Sequence, residues 1–153
     1  MARKIKTKYN YINHTADIEF NAYGDSLAQL FENSELALFN SIGNIKKIKK
    51  QKSAIKLIRI REYAQNIEDL LWQVLQSSLS ILDAKNQFGY GIKKIKINIR
   101  KNQRAKTYCA YLIINSKKRN SKYSNLEVKG ISKYDLKIVK KNNNFISSVV
   151  ADV

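Results

Sequence analysis

The stretch NHTADIEF at residues 13–20 gathers His14, Thr15 and Asp17 between two strand-like segments, YNYI before it and the alternation of Ile18, Phe20 and Ala22 after it. His14 is the only histidine of the chain, and Asp17 is one of only twelve acidic residues. A second carboxylate stands out near residue 153. Asp152 closes the apolar run SVVADV, and an α-carboxylate on Val153 would follow it at once. Adjacent anions repel each other unless a cation or a basic group neutralises both. Hard carboxylate oxygens suit Ca²⁺ or Mg²⁺ better than Zn²⁺. The plain alternative is a strand that ends there with both charges in water.

Other chemistries lack their residues. The chain has no Gly-rich phosphate loop, no G-x-S-x-G elbow and no paired-cysteine zinc pattern. A Cys–His dyad would have to join His14 to Cys109, which lies in the apolar run TYCAYLII and reads as a small core residue. Zinc would find at most two nitrogen or sulfur ligands. A divalent-metal hydrolase therefore stands last among the readings, for want of a base.

The elements that must position these groups follow from periodicity. Ser26 with Gln29 makes a capping box, and Leu27, Leu30, Phe31, Ser34, Leu38 and Ile42 form one helical stripe that stops at Gly43. Asn66 caps a second helix running to about Leu82, with Ile67, Leu70, Leu71, Val74 and Ser78 on its stripe and Trp72 at its edge. The segments SAIKLIRIRE, IKKIKINIR, TYCAYLIIN, NLEVKG, YDLKIVK and NFISSVVADV read as strands. Lysine clusters at 46–52, 115–125 and 140–144 read as loops, the last as a hairpin tip. Two helices with many strands, and no regular βαβ spacing, predict an α+β domain with the helices packed on a mainly antiparallel sheet.

At 153 residues the chain fits one domain, 1–153, that buries roughly two-thirds of its unfolded surface. Its apolar runs are too short to cross a bilayer, and its basic N-terminus lacks the apolar core of a secretory signal. With a single cysteine, this fits a cytoplasmic protein with no membrane partner. The net charge of +17 favours polyanions such as nucleic acid. However, the excess is almost wholly lysine in a chain rich in Asn and Ile and without proline. Lys, Asn and Ile share A/T-rich codons, so a solvated lysine surface stands slightly ahead of a selected ligand site. Arginine, the better fork for phosphate, numbers only six.

The segment YNYINHTADIEFNAYGDSLAQLFENSELALFNSI resembles the opening of the archease family, with its H-T-A-D turn, second strand and Phe-Glu-Asn helix. LEVKGISKYDLKIVKKNNNFISSVVADV resembles the family's closing hairpin and its terminal Asp-aliphatic pair, and IEDLLWQVLQSSLSIL falls at its second helix. The resemblance implies a divalent cation, Ca²⁺ first and Mg²⁺ or Mn²⁺ as alternatives, held by Asp17, the Asp152 side chain and the Val153 carboxylate. It implies that His14 supports the ligands without binding the cation, or has a structural role, and that Lys129 lies near the acidic site.

The implied function is non-catalytic: activation of an RtcB-type RNA ligase in tRNA splicing, by promoting ligase guanylylation and repeated turnover. No small-molecule substrate is implied, and tRNA is a second candidate partner through the lysine-rich surface. The alternative is a basic RNA-binding or chaperone-like module acting on tRNA or a tRNA-modifying enzyme. The chain departs from the family pattern at Gln76 and Ser77, which replace an Asn-Glu pair, and at Lys133 and Tyr134, which replace Tyr-His. It is also basic where the family tends to be acidic.

Overall fold

A computed structural model describes residues 7–12 and 17–153. His14 lies outside the described residues. Among them, the chain forms β1 (Tyr9–Ile12), β2 (Asp17–Gly24), α1 (Leu27–Ile42), α2 (Ile45–Lys50), β3 (Lys56–Ala64), α3 (Ile67–Ala84), β4 (Gln87–Lys101), β5 (Lys106–Lys118), β6 (Gly130–Ile131), β7 (Lys137–Lys141) and β8 (Asn144–Asp152). The architecture is α+β, with every strand pairing antiparallel. One sheet has the order β1-β2-β8-β6, with β7 also pairing β8. The other has the order β3-β5-β4.

The caps act where the sequence placed them. Ser26 Oγ accepts from Gln29 N–H, and Gln29 Oε1 accepts in return from the backbone of Asp25. Asn66 Oδ1 accepts from Asp69 N–H at the start of α3. The last carbonyls of α1 are taken up from a distance. Asn125 Nδ2 donates to Asn40 C=O, Leu126 N–H to Ser41 C=O and Asn125 N–H to Ile42 C=O. These bonds pin the segment around residues 125–126 across the end of α1.

Buried residues from both sheets and all three helices make one core, with Phe20, Phe31, Leu38, Leu71, Leu75 and Leu112 each fully enclosed. α1 contacts β2 and β8 on one side and β4 on another. Its buried set therefore wraps most of the way round the helix, and takes in Asn33, Ser34 and Glu35. β4 passes α1 closely at Gly89, where a Cβ would stand 2.8 Å from the Phe39 ring.

Three readings change. The lysine cluster at 46–52 is mostly helix. Asn44 caps α2, Ile48 is buried, and the buried Lys117 ammonium donates to the carbonyls of Lys49 and Gln51 at its end. β5 continues through Lys118, so the first residues of the supposed 115–125 loop are strand. Cys109 is buried but lies on the face of β5 that Ala110 and Leu112 turn away from, outside the main core. The 140–144 tip is a two-residue hairpin, with Asn142 and Asn143 at φ 52° and 64° between the paired Lys141 and Asn144. Both values belong to a type I′ turn, which asparagine tolerates.

Candidate metal centre

Burial fixes the register of β2 against β8. Phe20, Ala22, Ser147, Val149 and Ala151 all point inward at 0 % exposure. Slipping the pairing by one residue would turn the whole inward set of one strand outward. With that register set, Asp17 faces Asp152 directly, next to the pair Ile18–Ala151. Directly opposed residues share a face of the sheet with Cβ atoms about 4.5–5.5 Å apart, and like charges there destabilise the pairing. Asp17 is half-buried and Asp152 exposed, with Val153 beyond it at 39 % exposure.

The other edge of β8 is held as firmly. Lys129 N–H donates to Asp152 C=O at 2.7 Å, and Gly130 is the ladder partner of Asp152. α3 clamps this two-residue strand: Gln76 Oε1 accepts from Ile131 N–H at 3.0 Å, and Trp72 Nε1–H donates to Ile131 C=O at 2.8 Å. The Lys133 ammonium sits 5.3 Å over the Trp72 ring, while Tyr134 is 95 % exposed. Ser77 Oγ–H donates to Glu62 Oε1. From below, the Ser34 hydroxyl donates to Leu30 C=O and shares a 2.9 Å hydrogen bond with Ser147, locking α1 under β8.

The sequence-derived set thus falls into three groups. Asp17 and Asp152 are juxtaposed, with Val153 following, and Lys129 is joined to them through its backbone. His14 is outside the described residues. Among the described residues no three His, Cys, Asp or Glu side chains cluster as a metal site. A cation held by Asp17 and Asp152 would therefore draw its further oxygens from backbone or other carbonyl and carboxyl groups nearby, or from water. The donor set is all oxygen, and it fits a hard cation such as Ca²⁺.

Beside Asp17 runs a groove of about 310 Å³ lined by Tyr11, Ile12, Asn40 and Leu126. Tyr11, Ile12 and Leu126 are each exposed by more than a third. The Tyr11 hydroxyl donates to Ala37 C=O at 2.7 Å, and burial pushes its pKa up to about 12. The apolar rim therefore reaches Asp17 at this end of the sheet.

Two features here escaped the sequence reading. Gln76, known only as a departure from a family pattern, is the acceptor that fixes β6 beside the acidic pair. Glu35 is a carboxyl buried completely inside the core, and burial pushes its pKa up to about 8 against the opposing Ser78 hydrogen bond. Ser78 Oγ lies 2.6 Å from Glu35 Oε1 and 2.8 Å from Val74 C=O. One hydroxyl proton cannot serve both oxygens, so a neutral carboxyl that donates to Ser78 completes the chain. Its position four residues from both Phe31 and Phe39 was the available signal.

A family model described as the Archease protein family matches residues 9–153. The chain is 30% identical over 152 residues to "Protein archease" of Pyrococcus abyssi, covering 95% of this chain and 99% of that protein. It also resembles the solution structure of protein 1598 of Methanobacterium thermoautotrophicum, with TM-score 0.74 at 22% identity over 95% of this chain and 99% of that one. A crystal structure titled "an archease, possible chaperone" from Thermotoga maritima aligns with TM-score 0.56 at 17% identity over 93% and 94% of the two chains. At these identities the two structures speak to the fold.

Proposed function

This chain belongs to the archease family, and on that footing we propose that it is a metal-binding accessory factor that activates an RtcB-type RNA ligase in the cytoplasm. The observation that carries the site is the register of Asp17 against Asp152. A chain with twelve acidic residues and a net charge of +17 sets two of its carboxylates face to face. That placement costs stability unless a cation lies between them.

In this reading Asp17, Asp152 and the Val153 carboxyl hold a divalent cation, Ca²⁺ in preference to Mg²⁺ or Mn²⁺. The cation supplies positive charge that joins three anions at the rim of the sheet. The Lys129–Asp152 backbone bond and the Gln76–Ile131 clamp keep that rim in register. The exposed Lys129 side chain offers its ammonium to an anionic group of the ligase beside the acidic pair.

A second reading, a chaperone-like module, draws on the apolar groove beside Asp17, which suits a hydrophobic segment of a client protein. One pair of measurements separates the two. Thermal melting with and without Ca²⁺ reads the site, because a ligand that binds only the native state raises the melting temperature. Ligation by limiting RtcB-type ligase reads the function. Asp17→Asn, Asp152→Asn and one residue added after Val153 should each abolish the Ca²⁺ shift and the activation while leaving the metal-free melt nearly unchanged. Wild-type activation by the extended chain would remove the Val153 carboxyl from the site. A lack of activation by the wild-type protein would favour the chaperone-like reading.

A further inference from the structure

The second sheet presents a face that the acidic site does not use. Strand alternation sends Ile60, Leu112 and Ile95 inward, and turns Arg61, Tyr111 and Lys96 outward as one row of register partners across β3, β5 and β4. The next row is Tyr63, Cys109 and Asn98, with Arg100 following on β4 and Lys94 preceding. Together they line a concave groove of about 360 Å³. Two inter-strand spacings make it roughly 10 Å wide. Among all residues of β3, β4 and β5 the single carboxylate is Glu62. It points to the helix side, where its Oε1 accepts from Ser77. The groove is therefore purely cationic.

Codon bias explains many lysines, but not this arrangement. Three of the six arginines, Arg59, Arg61 and Arg100, lie on these strands. The Arg61 guanidinium sits 5.0 Å over the Tyr111 ring, which holds the cation at the groove centre. Tyr63 stands beside it at 48 % exposure and leaves a ring open to a planar partner. Cations interleaved with aromatics along a shallow track are what a single strand of nucleic acid needs: phosphates pair with the cations and bases stack on the rings. Asn98 adds a carboxamide that can both donate to and accept from a ribose 2′-hydroxyl, which only RNA carries.

We propose that the outer face of the β3-β5-β4 sheet binds single-stranded RNA, with Arg61, Lys96 and Arg100 on the phosphates and Tyr63 stacking on a base. This site goes beyond the ligase reading, and its test uses neither ligase nor metal.

Fluorescence anisotropy of a labelled oligo-A RNA of about twelve nucleotides, titrated with the full chain over a range of KCl concentrations, reads the site. Arg61→Gln with Lys96→Gln should weaken binding at least tenfold. It should also lower the slope of log affinity against log salt by about 1.4, the share of two phosphate contacts on a single strand. Lys137→Gln with Lys141→Gln on β7 removes the same charge elsewhere and should change affinity less than twofold. Tyr63→Ala should cost at least about fivefold, the loss of one stacked base, and leave binding of an abasic sugar-phosphate oligomer unchanged. Lys96→Gln alone, an exposed change, should lower the slope by about 0.7 and serves if the double variant folds poorly. Equal losses from both charge pairs, or indifference to Tyr63, would overturn the proposal in favour of diffuse electrostatics. Equal affinity for the matching DNA would overturn the assignment to RNA. Displacement of the RNA by polyglutamate at equal charge concentration would assign the groove to an acidic protein.

Discussion

Replacing Glu35 by glutamine should alter the pH dependence of stability more than its size. The carboxyl is fully buried and its pKa is raised from 4.5 to about 8, first by desolvation. In the unfolded chain it ionises near 4.5, so between those values folding takes up a proton. The stabilisation linked to Glu35 is thus complete below pH 4.5 and is lost as pH rises towards 8. The loss grows by roughly a kcal/mol or a little more per pH unit and reaches a few kcal/mol by pH 7. Glutamine removes that loss, but brings one amide N–H with no acceptor, since the second carboxyl oxygen has no hydrogen-bond partner among the described residues. An unmet buried donor costs about 1–3 kcal/mol. Glu35→Gln should therefore be less stable than wild type at pH 5 and equal or more stable at pH 7. Urea unfolding followed by the fluorescence of Trp72, the only tryptophan, checks this at each pH. In the difference between the two proteins the titration of every other carboxylate cancels. A difference that stays flat from pH 5 to pH 8 would refute a neutral Glu35 and the hydrogen-bond chain through Ser78 built on it.

Lys117→Met should cost about 2 kcal/mol, because it strips charge-assisted donors from the end of α2. Urea midpoints read the cost, and hydrogen exchange should show α2 amides losing protection first. Gln76→Ala leaves the buried Ile131 N–H without its acceptor and should cost about 1–3 kcal/mol. In calorimetric titration it should also weaken Ca²⁺ several-fold, whereas Gln76→Glu, which keeps an acceptor oxygen, should hold more of both. Asp83→Asn breaks a 2.7 Å pair with Arg119 in which the carboxylate is 55% exposed, and should cost under about 1 kcal/mol by thermal melting.

Local signals were legible wherever local groups decide the structure. The Ser26 and Asn66 caps, the stripes of α1 and α3, the asparagine hairpin and the facing of Ile95, Ile97 and Ile99 all follow from neighbours a few residues apart. α2 was not legible, since a run of isoleucine and lysine has no strong helical preference and its last carbonyls are met by a lysine of β5. Gly43 does end α1, but in extended backbone at φ −147° and not in the left-handed form a stop glycine suggests. The stop is completed by Asn125 and Leu126, far along the chain. The strand expected over NLEVKG is instead Gly130–Ile131, sharing only Gly130 with it, because Asn125 and Leu126 are drawn to the end of α1 and only Gly130 and Ile131 enter the ladder of β8. The acidic site divides in the same way. Asp17 and Asp152 could be named from a family resemblance, but their opposition depends on the pairing of β2 with β8, which no local pattern contains. The outward face of Cys109, and with it the cationic groove, required the strand register too.

The place of β8 has a consequence in time. It lies between β2 on one edge and β6 and β7 on the other, and its bond from Ser148 to Asn21 joins residues 127 apart. During synthesis, which proceeds at about 5–20 residues per second, β2 is therefore exposed for seconds before the strand that completes its sheet exists. Over that interval its inward residues Phe20 and Ala22 have α1 and the tyrosines of β1 to rest against, and its open edge can recruit another chain. The second sheet has no such delay relative to its own strands, because β3, β5 and β4 are contiguous with α3 and can close early. The nascent protein should thus pass through a state with the cationic groove formed and the acidic pair still apart. In a cell, the face proposed for RNA would exist before the face proposed for the ligase.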